Sequence, residues 1–231
     1  MPDPPRPPPP TERSAVRRLA DLAAYDRGTV DAVLDAGLVA HVGLVDADGD
    51  PVVIPMAYAR LGDRVVVHGS AASRLMRLGG AGAPVCLTVT LLDGLVVARS
   101  LFESSMRYRS VVVRGVAMPV EGIEERRAAL VALSDHLIPG RSVEARLPTD
   151  KELAATRVFA VDLTEASAKV SAGFPDDPPE DLALDIWAGV VPLEQSWGAP
   201  VPAPDLRPGI AVPPSVSALA NDPRLVGPEL P

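Results

Sequence analysis

At 231 residues with 47% apolar side chains, the chain is long enough to bury a core as one medium domain or two small ones. A net charge of -8 with 3% aromatic residues leaves little for a nucleic-acid surface, which needs a basic face and stacking rings. The lone Cys86 excludes an internal disulfide framework and fits a reducing compartment, and no apolar run reaches the roughly 18 residues that span a bilayer, so a cytoplasmic location without nucleic-acid or membrane partners is expected.

Proline divides the chain. Seven of the 26 prolines lie in residues 1–10 and nine in 196–231, which predicts an extended or disordered head (1–13) and tail (196–231) around a folded domain at 14–195. The head has neither the apolar stretch nor the cleavage site of a secretion signal. Residues 14–24 and 29–36 have helical spacing, with Leu19, Leu22, Val30, Val33 and Leu34 as the apolar stripe and Gly37 as a stop. A strand follows over 39–45, and the DADGD tract at 46–50 invites a hairpin turn into a second strand over 52–60. Gly62 and Asp63 then lead into a third, over 65–67.

A helix is predicted over 73–78, after which GGAGAP breaks regular structure. In 84–92, Val85, Leu87, Val89 and Leu91 alternate with Cys86, Thr88 and Thr90, the mark of a strand with one core face. Cys86 reads there as a small buried hydrophobe. Asp93 and Gly94 predict another hairpin before LVVARSLF, and MRYRSVVVRGVAMPV closes the series with Pro119 at its end. Helices are expected over 121–138, with Ile123, Leu130, Leu133 and Leu137 as the stripe, and over 150–156, capped by Thr149 or Asp150. One long strand is predicted over 157–170. About six antiparallel strands with helices at the ends give a mainly β, α+β fold, a small Greek-key barrel.

Chemistry concentrates in two places. His68, Gly69, Ser70, Ser73 and Arg74 stand where a strand opens a helix, and there unpartnered backbone N–H groups and the helix dipole favour an anion. The turn reads either as a phosphate cradle or as a serine-capped helix start. It is neither a Walker loop nor a dinucleotide fingerprint. The second place is Arg107, Tyr108, Arg109 and Ser110, which put polar groups on both faces of a strand. A ligand or a dimer partner would meet them; an edge strand with arginines reaching water is the other reading. With Arg99 and Arg114 they form a basic segment in an acidic chain, which suggests a small anionic ligand. His41, His68 and His136 are too dispersed for a metal site, and Ser105, Asp135 and His136 lack the setting of a nucleophile triad. Glu124 and Glu125 read as a solvated helix face, and Trp187 as a cap on the core.

The ordered blocks VVIPMAY, VVVHGSAASRLMR, PVCLTVTLLDGLVVARSLF, YRSVVVRG, LIPGR, ASAKVSAG and DIWAGVVPL span about 25–193. Their succession resembles the flavin-nucleotide-binding group of the pyridoxamine 5′-phosphate oxidase-like superfamily, near the nitroimidazole-resistance reductases. The resemblance implies an FMN-binding split β-barrel, a homodimer with flavin at the interface, and an oxidoreductase acting on a small-molecule substrate. It assigns Ser70, Ser73 and Arg74 with His68 and Gly69 to the FMN phosphate, and Pro55 and Met56 to the ring. Tyr108, Arg109 and Ser110 would approach the cofactor from the second subunit. Where relatives are expected to read FHHSMNYRS this chain has FESSMRYRS, so Glu103 and Ser104 replace a histidine pair and Arg107 an asparagine. No catalytic acid or base is identified. The implied reaction passes electrons from a reduced nicotinamide or deazaflavin to a nitro compound or quinone; a non-turning-over flavin carrier or sensor, and pyridoxamine 5′-phosphate oxidation, are the alternatives.

Overall fold

Valine-rich alternation makes most of the middle of the chain into sheet. In a computed structural model, residues 7–225 and 227 are described. The elements in order are β1 (Ala23–Ala24), α1 (Arg27–Ala36), β2 (Val39–Val45), β3 (Pro51–Leu61), β4 (Arg64–Ser70), α2 (Arg74–Gly80), β5 (Pro84–Val97), β6 (Ser105–Val116), β7 (Met118–Pro119), α3 (Ile123–Leu137), α4 (Asp150–Ala155), β8 (Thr156–Asp162), β9 (Ala166–Ser171), β10 (Gly189–Pro192) and α5 (Pro214–Ala218). All pairings are antiparallel, in the order β1-β9-β6-β5-β2-β3-β4-β8-β7, with β10 added to β5. The sheet curls around its core without closing into a barrel, which agrees with a split-barrel fold of the expected mainly β class.

Alternate residues of the central strands face inward. Val42, Leu44, Val65, Val67, Leu87, Val89, Val111, Val113, Phe159 and Val161 fill the interior, and α1 seals it with Val30, Val33 and Leu34. The opposite face of β3, β4 and β8 carries a second cluster, Ala59, Val66, Val158 and Ala160, covered by Ala129 and Leu133 of α3. The Tyr58 hydroxyl donates to Leu34 O at 2.5 Å, and the His136 Nε2 to Gly37 O at 2.6 Å. The first bond fastens α1 to the sheet, and the second fastens α3 to the end of α1.

Four expectations are corrected. Residues 14–24 are not a helix: 3₁₀ turns at Glu12–Ser14 and Ala20–Leu22 are joined by Leu19 at φ 52, in the left-handed region. Long-range bonds override the local spacing, since Thr11 Oγ1 donates to Glu165 at 2.8 Å and Arg13 Nε to the same carboxylate at 2.7 Å. Asp93 and Gly94 form no hairpin. They make a bulge inside β5, and the reversal comes at 98–104. A Cβ on Gly94 would lie 2.6 Å from Val191 O, so β10 docks only because this residue is glycine. The strand expected over 157–170 is two strands split by a 3₁₀ turn at Leu163–Glu165, where Leu163 N–H donates to Asp63 O at 2.9 Å. Finally Trp187 is 65% exposed and caps no core.

Beyond β10 the chain runs back over α3. Ser215 N–H donates to Glu144 at 2.9 Å, the Trp197 indole to Asp222 at 3.3 Å, and Arg224 to His136 O and Leu137 O at the end of α3. Residues 1–6 of the expected head, and 226 and 228–231 of the expected tail, lie outside the described residues.

These contacts set an acid response. Burial pushes the His68 and His136 imidazoles below their ordinary value of 6.5, so the unfolded chain takes up these protons before the folded one does. Their contribution to stability is complete above that value and is lost as pH falls through it toward the folded pKa. The backbone N–H of Thr29 on Asp26, the hydroxyl of Ser215 on Glu144 and the guanidinium of Arg224 on Asp222 hold those carboxyls below the ordinary 3.8 to 4.5, and their contribution disappears at lower pH still. Thermal melts across pH should show a plateau above about pH 7, a first decline near 6 and a steeper one below about 4. A flat profile from pH 7 to 5 would rule out the histidine step.

Candidate functional site

The end of β4 reverses into α2 through a tight turn. Ser73 N–H donates to Ser70 O at 2.9 Å, and Ala72 N–H to Ser70 Oγ at 3.2 Å. Ser73 is the N-cap residue of α2 in extended conformation, yet no side chain caps the helix. Its hydroxyl and the first N–H groups of α2 therefore remain available to an outside acceptor. Arg74 opens the helix, 56% exposed, and is steered by Asp46 at 2.6 Å and Asp48 at 3.3 Å. Asp46 sits in the β2–β3 turn and accepts the N–H groups of Asp48 and Asp50, both at 2.9 Å. Those bonds, that of Asp50 first, and the Arg74 charge hold its carboxyl below the usual range.

Gly69 is needed for close packing. A Cβ there would meet Met76 Cγ at 2.8 Å and lie 3.8 Å from Met56 Cε. Met56, Gly69, Ser70, Ser73 and Arg74 thus come together, with Pro55 next to Met56 on β3. His68 is half-buried, and on its face of the sheet its cross-strand partner is Val158. Its Nδ1 is buried with no hydrogen-bond partner, and desolvation favours the neutral ring.

Tyr108, Arg109 and Ser110 do not join this group. They lie on β6, which β5, β2 and β3 separate from β4. Because β6 is a central strand, Arg107 and Arg109 do not reach water as an edge strand would allow, while Arg114 near its end is exposed. Arg107 is 3% exposed, and Arg109 donates to Asp93 through Nε at 2.9 Å and Nη2 at 2.7 Å. Tyr108 and Ser110 take the other face, where the sheet also exposes Val39, Val45, Val53 and Leu92. Cys86 lies on this face too and is exposed, contrary to its reading as a buried hydrophobe. In the 98–104 loop Ser104 Oγ donates to Ser100 O at 3.0 Å and accepts from Ala98 N–H at 3.2 Å. A residue standing in for one of the expected histidines therefore stitches the loop.

A cavity of about 310 Å³ opens at one end of the core, lined by Val39, His41, Leu92, Asp93, Arg109 and Arg224 among others. Sequence reasoning passed over two of these. In the sequence His41 reads only as a metal candidate, and it is the register of β2 against β3 and β5 that puts it on the outward face. Asp93 was absorbed into a turn. Among the described residues no cluster of metal-ligating side chains occurs, and no helix is long and apolar enough to cross a membrane.

The sequence profile described as pyridoxamine 5′-phosphate oxidase matches residues 26–170. Among solved structures, an FAD and heme binding protein from Mycobacterium smegmatis is 45% identical, with a TM-score of 0.82 over 86% of this chain and 97% of that one. The flavocytochrome Anf3 from Azotobacter vinelandii is 40% identical, with a TM-score of 0.87 over 92% of this chain and 99% of that one. A putative 5-nitroimidazole antibiotic resistance protein from Bacteroides thetaiotaomicron, 23% identical with a TM-score of 0.54 over 64% and 86% of the two chains, shares the fold. No curated protein sequence matches the chain.

Proposed function

The chain belongs to the pyridoxamine 5′-phosphate oxidase family, and we propose that it is a flavin- and heme-binding oxidoreductase that takes electrons from a reduced nicotinamide or deazaflavin. The observation that carries this reading is the pairing, on one strand end, of an uncapped Ser73–Arg74 turn with a neutral His68 whose Nδ1 has no protein partner. Two relatives that match nearly the whole chain, one an FAD and heme binding protein and the other a flavocytochrome, support both cofactors. The first of them favours FAD over the FMN that the sequence resemblance implied.

The residues fit both groups. A flavin phosphate suits the free N–H groups of α2, the Ser70 and Ser73 hydroxyls and the Arg74 guanidinium, while Pro55 and Met56 border the space for the ring. Of the three histidines, His136 is committed to Gly37 O and His41 lies out on the sheet face. His68 is neutral and has an unpartnered nitrogen, which makes it the residue to hold heme iron. When bound, the flavin supplies two-electron and the heme one-electron chemistry. Asp93 holds Arg109 in place at the cavity, where a small acceptor such as a nitro compound or quinone would sit. Tyr108 and Ser110 reach a flavin only if a second copy of the chain brings them to it. The exposed apolar residues beside them on the outward face support a homodimer with flavin between the subunits.

His68→Ala tests the heme assignment. Protein reconstituted with hemin and FAD should lose its Soret band in the variant while retaining flavin absorbance. A Soret band of undiminished intensity would remove His68 from the heme site.

A further inference from the structure

A second polar cleft opens along β8, whose Arg157 and Val158 pair with Gly69 and His68 of β4. It has a volume of about 430 Å³ and is lined by Gly80, Val120, Glu121, Arg126, Arg157 and Val158, with Pro119 at its rim. Among the described residues neither arginine forms an ion pair. Arg126 donates through Nη1 to Leu153 O at 3.1 Å, yet its Nε is buried without an acceptor. A buried guanidinium N–H left unmatched is costly, and such groups are normally satisfied. Arg157 reaches into the cleft over Gly80, where an added Cβ would meet Nη1 at 3.3 Å, so the glycine leaves this guanidinium its room. Glu121 is the one carboxylate in the lining and pairs with neither arginine.

We propose that this cleft binds a small molecule bearing a phosphate or carboxylate group, with Arg126 and Arg157 gripping its oxygens. Two planar guanidinium forks without an ion-pair partner match the oxygens of such a group, and Pro119, Val120 and Val158 give the rest of the ligand an apolar floor. The assignment goes beyond the flavin and heme reading and uses none of the residues of the β4–α2 turn.

Calorimetric titration of the full chain with inorganic phosphate, and separately with succinate, tests it. Saturable binding is expected for at least one of the two, and which one binds identifies the group. Arg157→Gln, at an exposed position that does not threaten folding, and Arg126→Gln should each weaken binding about tenfold or more. Glu121→Gln should tighten it several-fold by removing the opposing charge. The paired replacement of Ser73 and Arg74 by alanine should leave it unchanged, which separates this cleft from the turn. Absence of saturable binding with both probes overturns the proposal. So does a melting temperature lowered by Arg157→Gln with binding intact, because that arginine would then serve only the end of α2.

Discussion

Replacing Ser73 and Arg74 together with alanine should weaken flavin binding by about two orders of magnitude while leaving the fold in place. A charged hydrogen bond contributes about 1.5 to 3 kcal/mol. Arg74 is more than half exposed, so solvent screening keeps its share at the low end. Two such losses sum to about 3 kcal/mol, or roughly a hundredfold in Kd. The backbone N–H groups at the start of α2 survive the substitutions, so binding is weakened and not abolished. Asp46 keeps its bonds from Asp48 and Asp50, and the melting temperature should move little. Fluorescence titration with FAD reads the change. An unaltered Kd would mean that the phosphate lies elsewhere.

Phe159→Ala should be the most destabilising single change in the core. Its ring is fully buried at the centre of β8, pairs across to Val67 on β4, and packs so tightly under α2 that a Cβ on Gly79 would lie 2.6 Å from it. Removing it leaves a cavity that sheet on one side and helix on the other cannot fill by small shifts. The expected cost is about 3 to 5 kcal/mol, a large part of the 5 to 15 kcal/mol typical of a folded domain. Because the ring also supports α2, the variant should lose flavin affinity together with stability. Chemical denaturation would test this. A loss under about 1 kcal/mol would mean that the site collapses without a cavity.

The strands were legible where a residue's fate depends on its neighbours in sequence. Alternation over 84–92 marked the first part of β5, and a cap at Thr149 or Asp150 marked α4, because each signal is local. Errors arose where distant groups decide. The stretch before α1 has helical spacing, but Glu165, far along the chain, holds it open through Thr11 and Arg13. Asp93-Gly94 has the composition of a turn, yet Arg109 and β10 turn it into a bulge. The β4–α2 turn was readable as a candidate anion site or as a serine-capped helix start, and only the assembled structure shows that no side chain caps α2. The heme role proposed for His68 was not readable, since one histidine in a strand has no spacing partner. Its distinguishing feature, a buried nitrogen with nothing to bond, exists only once the sheet is assembled.

The most direct measurement is the visible absorption spectrum of the purified full chain, followed by titration with FAD, FMN and hemin. The account predicts stoichiometric uptake of flavin, tighter for FAD than for FMN, and a Soret band from heme. A colourless protein that takes up neither flavin in excess would contradict it.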